Sequence, residues 1–388
     1  MGKAQSRYKG TGMSEEISDL VTMATMLVET TPIALARGAP SLDIIDVDGL
    51  KAAAQAALTI DPERTLGYGS AAGYEPLREW IATCHGVKPE QVIVTNGSMQ
   101  ADAFLFAALV GRGDTVVVES PSYDRTLKAL SDQGAHLRAL PLEPDGLDTQ
   151  ALAAVLESGV TPALAHIIPN FQNPAGYTLS QAKRTQLLDQ ARTYGFTIFE
   201  DDPYIELRFS GERLPTLLSQ SQNDEVVYAS SFSKTVAPGV RVGYLVGSTD
   251  IIEQITQLAT AAYISPNMVA QSMVYQFIES GAYDRSIDKV NAALSARVDV
   301  LASSLQEKIP EIAFTKPLGG YFMWVTFPDD VDTDKLATKC SDLGLAVVQG
   351  SNFMLDKARN SLRLAFSAVG EDHIVEGVER LGRALNDL

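Results

Sequence analysis

From about residue 90 the chain alternates short β-branched runs with segments of helical length, and this alternation limits the fold more than any other feature of the 388 residues. The runs are 91–95, 115–119, 137–142, 163–169, 196–200, 226–229 and 240–246, and helix-length segments such as 99–110, 122–133 and 180–194 lie between them. Strand, crossover and strand in repetition imply an α/β fold, a mainly parallel seven-stranded sheet with helices on both faces. In such sheets ligands collect at the carboxyl ends of the strands, where helix N-termini also point. After residue 250 the pattern changes to three long helical stretches (about 249–262, 266–280 and 284–307). An α+β ending follows, with strands at 321–326, 346–349 and 361–367, a helix near 333–343 and a last helix from about 370. The expected organisation is a large domain over 61–284 and a smaller α+β domain over 285–388, completed by residues 1–60.

Charge removes several classes of partner. With 31 Lys+Arg against 48 Asp+Glu the net charge is −17, and a pI near 4.7 argues against sequence-independent binding to nucleic acid or to an anionic membrane. Cys84 and Cys340 stand far apart, so no disulfide framework and no zinc site is suggested. The first twenty residues lack the apolar core of a signal peptide, and the longest apolar stretch, 103–110, falls well short of the roughly 20 residues that span a bilayer. The expectation is a soluble cytoplasmic protein with no bound metal.

Two short motifs mislead. Gly67-Tyr68-Gly69-Ser70-Ala71-Ala72-Gly73 has the look of a stretched dinucleotide fingerprint, but Asp61-Pro62-Glu63-Arg64-Thr65 before it is loop chemistry and not a strand. Ser231-Phe232-Ser233-Lys234 matches the Ser-x-x-Lys of penicillin-binding enzymes, yet neither Ser-Asp-Asn nor Lys-Thr-Gly occurs in the chain. A third reading makes Lys234 itself the nucleophile. It follows a strand and sits among small or apolar residues from Ala229 to Gly239, where burial would lower its pKa and free the amine for a Schiff base. Taken alone it reads better as a surface lysine after a strand, and its company shifts the balance.

That company lies at the other strand ends. Thr95-Asn96-Gly97-Ser98-Met99 runs straight into a helix, so free amides and the Ser98 hydroxyl form either an anion seat or a plain N-cap, and the two are compatible. Tyr123, in Ser120-Pro121-Ser122-Tyr123, could stack on a flat ring or pack as an ordinary tyrosine. Asn173, in Asn170-Phe171-Gln172-Asn173-Pro174-Ala175-Gly176, sits in a fixed turn with its amide free to donate or accept. Asp201, in Asp201-Asp202-Pro203-Tyr204, is a carboxylate at a buried strand end that needs a positive partner, and Arg363, in Ser361-Leu362-Arg363-Leu364-Ala365-Phe366, needs an anion. These are the parts that a site built on a pyridoxal phosphate Schiff base requires.

The sequence resembles the fold-type I pyridoxal-phosphate aminotransferases of class I/II, and within them the aminoadipate and kynurenine aminotransferases and the effector domains of MocR-type regulators. Pro169-x-x-x-Asn173-Pro174-x-Gly176, Asp201-Asp202-Pro203-Tyr204, Ser231-x-Ser233-Lys234 and Arg241-x-Gly243 stand in family order and at family spacing, and the resemblance runs from about Ile33 to the C-terminus. It implies that Lys234 forms the aldimine with the cofactor and carries the proton in a ping-pong exchange through aldimine and ketimine. It implies Asp201 at the pyridinium nitrogen, Asn173 and Tyr204 at the phenolic oxygen and Tyr123 stacked on the ring. Ser98, the Met99 amide, Ser231, Ser233 and Arg241 would hold the phosphate. Arg363, with Asn173 and the Gly38 backbone, would bind the substrate, an L-amino acid or a 2-oxo acid such as 2-oxoglutarate. Tyr68 would reach the phosphate of a neighbouring subunit, which implies a homodimer with shared active sites.

The early loop Ala36-Arg37-Gly38-Ala39-Pro40 departs from the family's small residues, and Arg37 either contacts a distal acidic group of the substrate or forms a salt bridge at the domain edge. On the same scaffold the alternative reactions are those of a β-lyase or a decarboxylase. A non-catalytic ligand-sensing module is a remote third reading, since about 30 residues before the family-like start are too few for a DNA-binding winged helix and the charge is wrong for DNA.

Overall fold

The computed structural model describes residues 32–222, 224–356 and 358–388, so the first 31 residues of the expected N-terminal segment, including the stretch read for a signal peptide, lie outside the described residues. In chain order the strands are β1 (Ile33–Ala34), β2 (Val92–Thr95), β3 (Thr115–Ser120), β4 (His136–Glu143), β5 (Gly146–Leu147), β6 (Leu164–Ile167) and β7 (Thr197–Asp201). There follow β8 (Val226–Ser231), β9 (Gly243–Val246), β10 (Ala313–Phe314), β11 (Phe322–Thr326), β12 (Leu345–Ala346), β13 (Val348–Gln349) and β14 (Ser361–Ala365).

The main sheet has eight strands in the order β2-β9-β8-β7-β6-β3-β4-β5. β4, β3, β6, β7 and β8 run parallel, while β9 is antiparallel to both of its neighbours and β5 pairs back on β4. The eighth strand is β5, whose two residues are too few to leave an alternating pattern in the sequence. β9 begins at Gly243 and not at residue 240, because Pro238–Val240 closes a 3-10 turn and Arg241 turns left-handed at φ 49°. The connection 232–242 is shorter than the dozen or more residues that a parallel crossover needs, which accounts for the reversal of β9.

The central strands are buried on both faces, as a helix-covered parallel sheet requires. Along β7, Phe199 joins one apolar layer with Phe106, Val118 and Leu245, and Ile198 joins the other with Val117, Ile167 and Leu187. Helices start where hydroxyl caps are available: Ser180 accepts from the Lys183 amide and Ser248 from the Ile251 amide.

Four of the remaining strands form a second, antiparallel sheet in the order β10-β11-β14-β13. The long helix Ala282–Lys308 and the helix Glu371–Asn386 lie over it, with Val290, Leu294, Leu301, Ile374 and Leu381 in one core. β1 pairs with β12 beside this sheet, whereas the helix Val47–Ile60 packs against the helix Met268–Glu279 on the side of the main sheet. Among the described residues no helix is long and apolar enough to cross a membrane.

Candidate active site

Four adjacent strand ends build the floor of the site. Ser231 of β8 pairs with Gly243 of β9, which pairs in turn with Thr95 of β2, and Asp201 ends β7 opposite Ala229. Because β9 is reversed, its first residue and the last residues of β2 and β8 meet at one edge. After Thr95 only Asn96 and Gly97 precede the helix Ser98–Leu109, whose cap residue, Gly97, offers no side chain to the first amides. Two glycines make that junction feasible. A Cβ at Gly243 would lie 2.4 Å from the Ser98 amide nitrogen, and one at Gly97, where φ is +90°, would lie 2.1 Å from Arg241 Nη2.

A cavity of about 130 Å³ opens above this floor. Ser98, Met99, Tyr123, Asn173, Asp201, Tyr204, Ser231, Ser233, Lys234 and Arg241 all line it, so the structure gathers these sequence-predicted residues in one place. At one end Arg241 Nη1 donates to Ser233 Oγ (3.2 Å) and the Ser233 amide donates to Ser231 Oγ (3.2 Å). With the first amides of the helix these hydroxyls and the guanidinium form a cup for a dianion. Asp201 is buried and its Oδ2 lies 3.3 Å from His166 Nε2.

Lys234 is the cavity's amine. Its Nζ donates to the Gly38 carbonyl (2.7 Å) and lies 5.7 Å and 5.4 Å from the ring centroids of Tyr204 and Tyr321. Burial, with the Arg363 and Arg241 guanidinium charges nearby, lowers its pKa to about 8. The Tyr204 phenol is raised by burial and by Tyr123, and burial with the nearby carboxylates raises Tyr123 to about 12. Both phenols therefore remain donors.

Arg363 stands outside the cavity lining but is tied to it. From the middle of β14 its Nη1 donates to Asn173 Oδ1 (2.9 Å) and its Nη2 to the Ala36 carbonyl (2.8 Å). The guanidinium lies over Phe322 (4.3 Å) and Phe353 (4.8 Å) and is buried, yet no carboxylate pairs with it among the described residues and its Nε has no hydrogen-bond partner. A buried cation held by neutral acceptors and aromatic faces is a receptor for an anion.

Gly38 enters through its carbonyl, and a Cβ there would meet Phe322 at 2.4 Å. Arg37 is exposed: its carbonyl accepts from the Ser367 hydroxyl, and its guanidinium makes no ion pair among the described residues, so the domain-edge salt bridge is not formed there. Tyr68 is not brought to this cavity and is 88% exposed.

Sequence reasoning missed Asp102, Ile168 and Pro203, which also line the cavity. It also missed the buried polar frame behind the Asn173 loop. Gln172 Nε2 donates to Glu119 Oε2 (2.9 Å), Asn170 Nδ2 to Asp202 Oδ2 (2.8 Å) and Arg184 Nη2 to Asn170 Oδ1 (3.1 Å). Burial pushes Glu119 up to about 7, against the hydrogen bonds from Tyr177 and Gln172. Available signals were the run of amide residues around 170–173 and an arginine in an otherwise regular helix. A larger cavity, about 630 Å³, lies on the other side of Pro203 and Ser231 and contains none of Lys234, Asp201 and Asn173.

A lysine of lowered pKa, a carboxylate for a pyridinium, a dianion cup and an aromatic plate define a pyridoxal-phosphate enzyme that handles carboxylate-bearing amines. The chain belongs to the aminotransferase class I and II family, whose model matches residues 30–381. Aromatic-amino-acid aminotransferase 1 of Thermococcus litoralis is 32% identical to it, across 98% of this chain and 93% of that protein. The 2-aminoadipate transaminase of Thermus thermophilus is 31% identical across 92% and 90%. The kynurenine aminotransferase of Pyrococcus horikoshii, solved with PMP, KYN as substrates and KYA as products, superposes with a TM-score of 0.88 at 30% identity, covering 96% of this chain and 94% of that one. The chain is a transaminase of amino acids that uses pyridoxal phosphate.

Proposed function

We propose that this chain moves the amino group of an L-amino acid to 2-oxoglutarate by a ping-pong exchange, with Lys234 as covalent anchor and proton carrier. The observation that carries the reading is Arg363, a buried guanidinium without a carboxylate partner among the described residues, hydrogen-bonded to the Asn173 that lines the lysine's cavity. The residues fit the cofactor on the structure's own terms, since Ser98, Ser231, Ser233 and Arg241 line one cavity and pack so closely that a Cβ at Gly97 would strike Arg241 and one at Gly243 the Ser98 amide. The cofactor, when bound, supplies the electron sink for charge developing at the substrate Cα.

The protein's part is positioning and proton transfer. Asp201 would hold the pyridine nitrogen protonated, Asn173 and Tyr204 the phenolic oxygen, and Tyr123 one face of the ring. Arg363 would fix the α-carboxylate, which aims the Cα–H at Lys234. A lysine of pKa about 8 is roughly one-tenth free amine at pH 7, against less than about one part in a thousand at its ordinary value, so it can both attack and return a proton. Arg37, exposed and unpaired among the described residues, would meet the distal group of a dicarboxylic substrate. Tyr68 supports a homodimer: it is exposed with Leu66 and Ile264, on a loop fastened to residues 263–268 by Tyr263 Oη donating to the Ala71 carbonyl and by Gly69 lying close to Met268.

The test is the visible spectrum of the holoenzyme titrated with single amino acids in the absence of a 2-oxo acid. The band should move on addition of a donor, return with 2-oxoglutarate, and stay fixed in Lys234→Ala. Return with pyruvate but not with 2-oxoglutarate would remove the acceptor assignment. Arg37→Ala should lower the preference for dicarboxylic over neutral donors, and an unchanged preference would remove its role.

A further inference from the structure

One carboxyl in the cofactor cavity has no part in these roles. Asp102 lies four residues beyond Ser98 in the same helix, on the same face, and lines the cavity with Asp201, Tyr123 and Lys234. It is buried, and its Oδ1 has no hydrogen-bond partner. Its helix neighbours Ala101, Leu105 and Phe106 are apolar and buried, so nothing on its own element compensates a charge. Facing it are Asp201 at the end of β7 and Tyr123 after β3, while His166 of β6 touches Asp201; the cations Lys234 and Arg241 line the same cavity. Burial and the charge of Asp201 both push the Asp102 carboxyl well above its usual range. A bound pyridinium brings one positive charge, which neutralises one carboxylate and leaves a second anion in a small buried space uncompensated.

We propose that Asp102 is a positioning residue for the cofactor: a neutral carboxylic acid that donates to the Asp201 carboxylate, so that the pair carries one proton and Asp201 alone meets the pyridine nitrogen as an anion. The donated bond fixes the rotamer of Asp201 and disperses its charge without removing it. The proposal rests on the placement of Asp201 against that nitrogen.

The experiment measures the dissociation constant of pyridoxal phosphate for the wild type, Asp102→Asn, Asp102→Leu and Asp201→Asn. It is paired with the infrared difference spectrum of wild-type holoenzyme minus Asp102→Asn. Asparagine keeps a neutral donor, so Asp102→Asn should bind within about threefold of wild type, whereas Asp102→Leu, which lacks the donor, should bind about tenfold or more weakly. The infrared difference should contain a protonated-carboxyl stretch that shifts in D₂O. Equal weakening in Asp102→Asn and Asp102→Leu would mean that the charge is required, and would overturn the proposal. So would wild-type binding by Asp102→Leu, or the absence of the infrared band. If Asp102→Leu does not fold, the near-isosteric asparagine variant and the infrared band still decide. If Asp201→Asn binds the cofactor as tightly as wild type, the placement of Asp201 fails first; if it loosens the cofactor and Asp102→Leu does not, only the pair fails.

Discussion

Lys234→Met, examined in the apoprotein, tests whether the site holds its amine against an energetic gradient. The lysine's pKa falls from 10.5 to about 8 on folding, and at 1.36 kcal/mol per unit the charged form costs the fold about 3 kcal/mol. Below pH 8 the amine is protonated in both folded and unfolded chains, so the whole cost is present. Between pH 8 and 10.5 the unfolded chain binds more protons than the folded one, and wild-type stability rises with pH; above 10.5 the amine is neutral in both states and the cost is gone. Methionine has a similar length and no charge, but leaves the Gly38 carbonyl without its donor, a loss of about 1–2 kcal/mol. Lys234→Met should therefore be more stable than wild type by about 1–2 kcal/mol at pH 7 and less stable by about 1–2 kcal/mol above pH 10.5. Urea unfolding of both apoproteins across pH 7–11, read as a difference at each pH so that the other groups cancel, measures it. A difference that stays flat across this range would refute the claim that the fold depresses the lysine.

Other substitutions probe the surrounding parts. Gly97→Ala forces a left-handed alanine, about 1–2 kcal/mol, and drives a methyl into Arg241; cofactor affinity should fall about ten- to hundredfold in a direct titration. Arg363→Lys keeps the charge but cannot span Asn173 and the Ala36 carbonyl together, so the KM for the amino donor should rise about tenfold or more while the cofactor spectrum is unchanged. If the chain pairs as proposed, Tyr68→Phe should weaken cofactor binding without changing the sedimentation coefficient, and an unaltered dissociation constant would remove the proposed cross-subunit contact.

What the sequence discloses follows physical scale. Strands buried on both faces read as short apolar runs, Ile198-Phe199 in β7 and 226–229 in β8, and the polar residues at and just past their ends had to have partners, which is why Asp201, Ser231 and Lys234 were legible. β5 was not, because two residues carry no period, and the start of β9 was misplaced because a left-handed arginine has no composition signature. Asp102 could have been noticed as a lone acid one turn past Ser98 on an apolar helix, but only the cavity shows that it faces Asp201. The frame around Glu119, Arg184 and Asp202 joins residues 14 to 53 positions apart, a distance no local pattern spans.

The hydrogen bonds to residues 36 and 38 have a consequence for how this chain can vary. Lys234, just past β8 of the main sheet, and Arg363, in β14 of the small sheet, grip two carbonyls of one short segment, which is also fastened to β14 by the Ala365 amide donating to the Leu35 carbonyl. Peptide carbonyls are present whatever side chain a position carries. Apart from the space limit at Gly38, replacing residues in this segment cannot delete either acceptor, whereas inserting or removing a single residue shifts both at once. The clamp between the two sheets is thus encoded in the length of the segment more than in its letters.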